Sequence, residues 1–117
     1  MKRHFALTVD QRKQRRRQLK EKFPQKIPII VKTAEGVPKL DKAKFLVPRD
    51  LLLSEFCYVV RSRMKMDAKK ALLLLSNNKL LRTFDTMEDI LLAEGDPETD
   101  FLYITACAEN TFGTPDI

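Results

Sequence analysis

The sequence contains no tryptophan, one histidine, two cysteines and three glycines in 117 residues. Each scarcity removes a class of explanation. Cys57 and Cys107 cannot form a disulfide scaffold, and such cysteine usage fits a reducing compartment. His4 stands alone near the start, so a Cys–His nucleophile pair would need that terminus to reach one of the two cysteines. No zinc-ligand spacing, phosphate-binding loop or pair of catalytic carboxylates is present. Asp96, Glu98 and Asp100 form an acidic turn that reads as solvation rather than metal ligation. No apolar run exceeds five residues, far short of the roughly 18 that a membrane helix needs. The start, MKRHFALTVD, lacks the apolar stretch of a secretory leader. The expectation is a soluble protein that is not an enzyme and has no cofactor or metal.

What is present is a foldable, basic chain. Hydrophobic residues are 44% and charged residues 32%, enough for one modest core in a single domain. The net charge of +6 points to an acidic partner. It is also unevenly placed. Residues 1–26 hold ten Lys/Arg and two acids, residues 27–82 hold twelve and five, and residues 83–117 hold none and nine. Such asymmetry fits an oriented binding surface.

Thr8-Val9-Asp10-Gln11 reads as a capping box opening a helix from Val9 to Lys22, which Pro24 stops. Its apolar residues are sparse, so Arg12, Lys13, Arg15, Arg16, Arg17 and Lys20 are expected to be solvated. Residues 1–7 would add a helical turn. Ile27 to Thr33 reads as a strand, with Pro28 confined to its start or to an unpaired site. Lys44 to Val47 is a second strand, ended by Pro48 and joined to the first as a hairpin through the loop at 34–39. Leu52, Phe56, Val59, Val60 and Met64 recur at helical spacing. Residues 67–70 form a turn. Leu72 to Leu75 is a buried strand with Asn77-Asn78 turning after it. A short helix should start at Thr86 and end before Gly95, and Phe101 to Cys107 is the last strand.

Four strands around one main helix define an α+β fold. The expected arrangement is a ubiquitin-like β-grasp roll with an added N-terminal helical segment, the last strand lying beside the first at the sheet centre; other small α+β folds share this order of elements. The expected boundaries are 1–24 for the basic extension, 25–113 for the core and 114–117 for a tail.

The runs KFPQKIPIIVK (22–32), LDKAKFLVPRDL (40–51), FCYVVRSRM (56–64), ALLLLSNN (71–78), DFLYI (100–104) and ENTFG (109–113) carry a resemblance. In this order and spacing the sequence resembles the ubiquitin-like autophagy modifiers of the GABA-receptor-associated protein and light chain 3 type. That family becomes attached to phosphatidylethanolamine, and its fold is two amino-terminal helices on a ubiquitin core. The resemblance implies that an aromatic-x-x-aliphatic motif adds a strand along Lys44 to Val47, with a pocket on each side because ligand residues three apart face opposite ways. By resemblance, the aromatic pocket is Leu19, Pro28, Ile30, Lys44, Leu46 and Phe101. The aliphatic pocket is Phe45, Val47, Pro48, Leu51, Phe56 and Val59, and Lys42 and Lys44 attract acidic flanks. Read without the resemblance, most of these are ordinary core residues or, for the lysines, a solvated face.

The resemblance also implies processing. A cysteine protease cuts after the glycine of Phe112-Gly113, releasing Thr114 to Ile117. Activating and conjugating enzymes then pass the carboxylate to the lipid. Implied partners are motif-bearing autophagy receptors and adaptors, these enzymes and the lipid membrane. The localisation is cytoplasmic, then the autophagosome membrane after lipidation. For the basic helix, tubulin is a further partner; with no stacking aromatics interleaved, no specific nucleic acid is expected. Three positions depart from the family pattern. Arg15 stands where an acid is usual, Leu80-Leu81 replace the Pro-Pro loop, and Pro115 follows the cleavage site. The competing reading is an unconjugated adaptor with the same groove, acting in trafficking or on the cytoskeleton.

Overall fold

The computed structural model describes residues 7–66 and 69–109. Helix α1 spans Val9–Lys22 and begins at the capping box: Thr8 Oγ1 accepts the Gln11 amide N–H, and Gln11 Oε1 accepts that of Thr8. Strand β1, Lys26–Thr33, pairs antiparallel with β2, Lys44–Pro48. Helix α2, Leu53–Met64, starts where Glu55 reaches back to the Leu52 N–H and ends at Lys65 in the left-handed region. Then come β3, Ala71–Ser76, β4, Lys79–Leu80, helix α3, Met87–Glu94, and β5, Leu102–Glu109. Thr86 caps α3 by accepting the Asp89 amide, and Gly95 ends it. A Cβ at Gly95 would lie 2.5 Å from the Leu91 carbonyl oxygen, so a side chain there does not fit.

The sheet order is β2-β1-β5-β3-β4, with β1 and β5 parallel at the centre. That is the expected roll, with one correction: among the described residues five strands form, not four. Asn77 and Asn78 both adopt positive φ, which makes a two-residue hairpin turn and sends Lys79 and Leu80 back along β3. The turn was legible in the sequence. The strand after it is too short to show a period.

Alternation splits the sheet into two faces. Ile27, Ile29 and Val31 of β1 and Leu102, Ile104 and Ala106 of β5 join Phe56, Val60 and Met64 of α2 in the main core. Pro28, Ile30 and Phe101 are also buried but stand outside that cluster, on the face that α1 crosses. Pro28 costs the ladder nothing. The Val31 N–H points toward β2, where it bonds the Ala43 carbonyl, so the nitrogen of residue 28 faces β5. Pairing with β5 begins only at Ile29.

Candidate functional site

Strand β2 is an edge. Its register with β1 directs the backbone groups of Ala43, Phe45 and Val47 inward, which leaves the N–H and C=O of Lys44 and Leu46 facing outward. These two residues also send their side chains to the α1 face, where they border an open groove of about 290 Å³. The groove is lined by Leu19, Pro28, Ile30, Lys44, Leu46 and Phe101, all six residues of the expected aromatic pocket, together with Arg15 and Lys42. No carboxylate among the described residues lines it, so an apolar floor sits within a cationic rim. Phe23 and Ile29 also line it, as does Phe45 of the expected aliphatic set. Neither Phe23 nor Ile29 was placed in the pocket from sequence, although Phe23, the C-cap of α1, lies one turn past Leu19.

The second set of six is arranged differently. Phe45 and Val47 are buried, and Phe56 has no exposed surface; its ring meets Phe45 edge-on at 5.4 Å between centroids. Pro48 is exposed, Leu51 half-buried and Val59 39% exposed. Phe45, Val47 and Phe56 are therefore core side chains, while Pro48, Leu51 and Val59 keep part of their surface open. Lys42 and Arg63 approach the outer side of the Phe45 ring at 5.9 Å. Phe112 and Gly113 lie outside the described residues.

Helix α1 supplies one wall of the groove, and here two expectations need correction. Arg16 is not solvated: it is 3% exposed and is the only buried residue of α1. Its Nε–H donates to the Asp100 carbonyl at 2.9 Å and to the Asp100 carboxylate at 3.1 Å. Burial pulls its pKa below the ordinary guanidinium value, and the Asp100 charge opposes that shift. Arg12 is half-buried and donates to the Tyr103 hydroxyl at 3.4 Å. Nor is the acidic turn mere solvation. Asp96 accepts the Thr99 hydroxyl and the Glu98 amide, while Asp100 holds Arg16 and Lys20. No group of three or more His, Cys, Asp or Glu among the described residues is placed to hold a metal ion. No helix among them is long and apolar enough to cross a membrane.

Comparison with known proteins agrees with this architecture. The family described as "Autophagy protein Atg8 ubiquitin like" matches residues 11–113. Autophagy-related protein 8e of Arabidopsis thaliana is 43% identical over 110 residues, covering 92% of this chain and 89% of the relative. Autophagy-related protein 8B of Oryza sativa subsp. indica is 41% identical over 108 residues, covering 91% and 90%. The crystal structure of Trypanosoma brucei ATG8 superposes with a TM-score of 0.83 at 32% identity, covering 97% of this chain and 98% of that one. The chain therefore belongs to the Atg8 family of ubiquitin-like autophagy proteins.

Proposed function

We propose that the protein is a modifier conjugated through Gly113 to phosphatidylethanolamine, and that its groove docks aromatic-x-x-aliphatic motifs of autophagy receptors and adaptors by strand addition. It is a substrate of enzymes rather than an enzyme. The observation that carries the docking half is the coincidence of an open strand edge with an apolar groove on the same two residues, Lys44 and Leu46. Their outward N–H and C=O groups bond the added strand, and its aromatic side chain enters the groove above Phe101 and Ile30. The aliphatic residue three positions on lies over Pro48, Leu51 and Val59, with Phe45, Val47 and Phe56 packed beneath. Arg15, Lys42 and Lys44 favour acidic flanks. The exposed cations of α1, Arg15 and Arg17 among them, suit acidic surfaces such as tubulin tails or anionic lipid.

The conjugation half rests on family membership and on the Phe112-Gly113 pair, where the family match ends. Glycine passes an extended tail through a narrow channel without a side-chain clash. The test is intact mass of the protein from starved cells. Wild type should lose Thr114 to Ile117 and gain the lipid, leaving the cytosol for the autophagosome membrane. Gly113→Ala should stay full-length and lipid-free. A wild-type chain found only full-length and unlipidated, with the conjugation enzymes present, would overturn this half and favour the unconjugated adaptor.

A further inference from the structure

We infer that Asp100 is a positioning residue for the groove: it neutralises the buried Arg16 and so holds α1, which carries the wall residues Arg15 and Leu19, against the sheet. This deepens the docking function proposed above and rests on that reading for its effect on ligand binding.

The case begins with what α1 lacks. Its 14 residues include no apolar stripe, and its one buried side chain is charged. A helix of this kind is not held by the hydrophobic effect. Besides the 3.4 Å contact of Arg12 with the Tyr103 hydroxyl, what crosses from α1 to the sheet is the Arg16 guanidinium, whose Nε is satisfied by two oxygens of a single residue. The Nη1 and Nη2 atoms of Arg16 are buried without a hydrogen-bond partner. Lys20 reaches the same carboxylate at 3.2 Å but is 55% exposed at its side chain, so it contributes through solvent-screened attraction only.

A buried charge with so few partners depends on the one carboxylate that offsets it. Removing that carboxylate leaves the charge uncompensated, and the cheapest relief is for the helix to lift and let water reach Arg16. The connection to the groove is covalent: the Asp100 carbonyl that accepts the Arg16 Nε–H belongs to the peptide leading into Phe101, the groove floor. Asp100 is itself fixed, with its amide bonded to the Asp96 carbonyl and φ at 62°. Asp100 therefore ties wall to floor through both its carbonyl and its carboxylate.

The substitution Asp100→Asn isolates the charge, because asparagine keeps the shape and tolerates the left-handed backbone. Two readouts separate this inference from the docking function. The first, amide hydrogen exchange, needs no ligand. Amides across residues 13–22 should exchange at least tenfold faster than in wild type, while those of β1 and β5 keep their protection. The second is affinity for a labelled, acid-flanked aromatic-x-x-aliphatic peptide, which should fall about tenfold. Placing Arg16→Met in the Asp100→Asn background removes the stranded charge and should restore both readouts to within threefold, which a general loss of structure would not allow. Lys20→Gln should change neither by more than twofold. If Asp100→Asn does not fold, the double variant is read on folding itself: recovery of the fold with wild-type α1 exchange supports the inference, and a double variant that also fails to fold overturns it. Wild-type exchange of α1 in Asp100→Asn, or no rescue by Arg16→Met, overturns the inference. Faster α1 exchange in a protein that never binds the peptide supports the latch and overturns the docking function alone.

Discussion

Shaving Leu46 to alanine separates the groove from the core along a single strand. Leu46 is half-buried and faces the groove, and it lies outside the main core cluster. Leu46→Ala removes three carbons, each worth about 0.8 kcal/mol when fully buried. Part of that surface is already covered in the free protein, so ligand binding gains only the remainder, about 1–1.5 kcal/mol. That corresponds to roughly a tenfold rise in Kd. The fold should be nearly untouched. The converse substitution is Ile104→Val, 1% exposed and in the main core on the opposite face of the sheet. It should cost about 1 kcal/mol of stability, lowering Tm by about 4 °C, and leave Kd within twofold. Fluorescence anisotropy with the labelled peptide and a thermal melt of each variant measure the two effects. Leu46→Ala binding within twofold of wild type would refute the assignment of the groove. So would an Ile104→Val protein that loses affinity in proportion to stability.

Arg15→Glu should reverse the preference for flanking charge, improving peptides with basic residues beside the aromatic and weakening acid-flanked ones; the difference should shrink as salt rises, because Arg15 is exposed. An unchanged peptide ranking would show that Arg15 does not meet the ligand. Glu94 accepts a hydrogen bond from the Asn77 side chain at 2.9 Å, and this bond, aided by Lys79, holds its carboxyl below the ordinary value of 4.5. A depressed folded-state pKa stabilises the fold above the unfolded value, and that contribution is lost as pH falls through the folded one. Denaturant melts should therefore show wild type losing stability more steeply than Glu94→Gln below about pH 4.5. Parallel acid limbs would remove Glu94 from the account.

The sequence alone determined the elements and their order, since these depend on local signals. The capping box at Thr8 and Gln11 fixed the start of α1, helical spacing from Phe56 to Met64 fixed α2, and β-branched runs fixed β1. The resemblance carried by LDKAKFLVP and FLYI then indicated which strand edge to examine, and Phe112-Gly113 is legible only there. Tertiary structure decided what no local period encodes. Two asparagines at positive φ create β4, but its two residues are defined only by pairing with β3. Alternation along β2 places Phe45 and Val47 in the core and the Leu46 side chain in the groove. Above all, the fate of Arg16 was hidden. In the sequence it is one cation among several in a polar helix, and such a run is ordinarily solvated. Its burial depends on a carboxylate 84 residues away, brought beneath α1 by the turn before β5. Charge burial is a property of the partner and the low-dielectric contact between them, and that contact exists only once the sheet has formed.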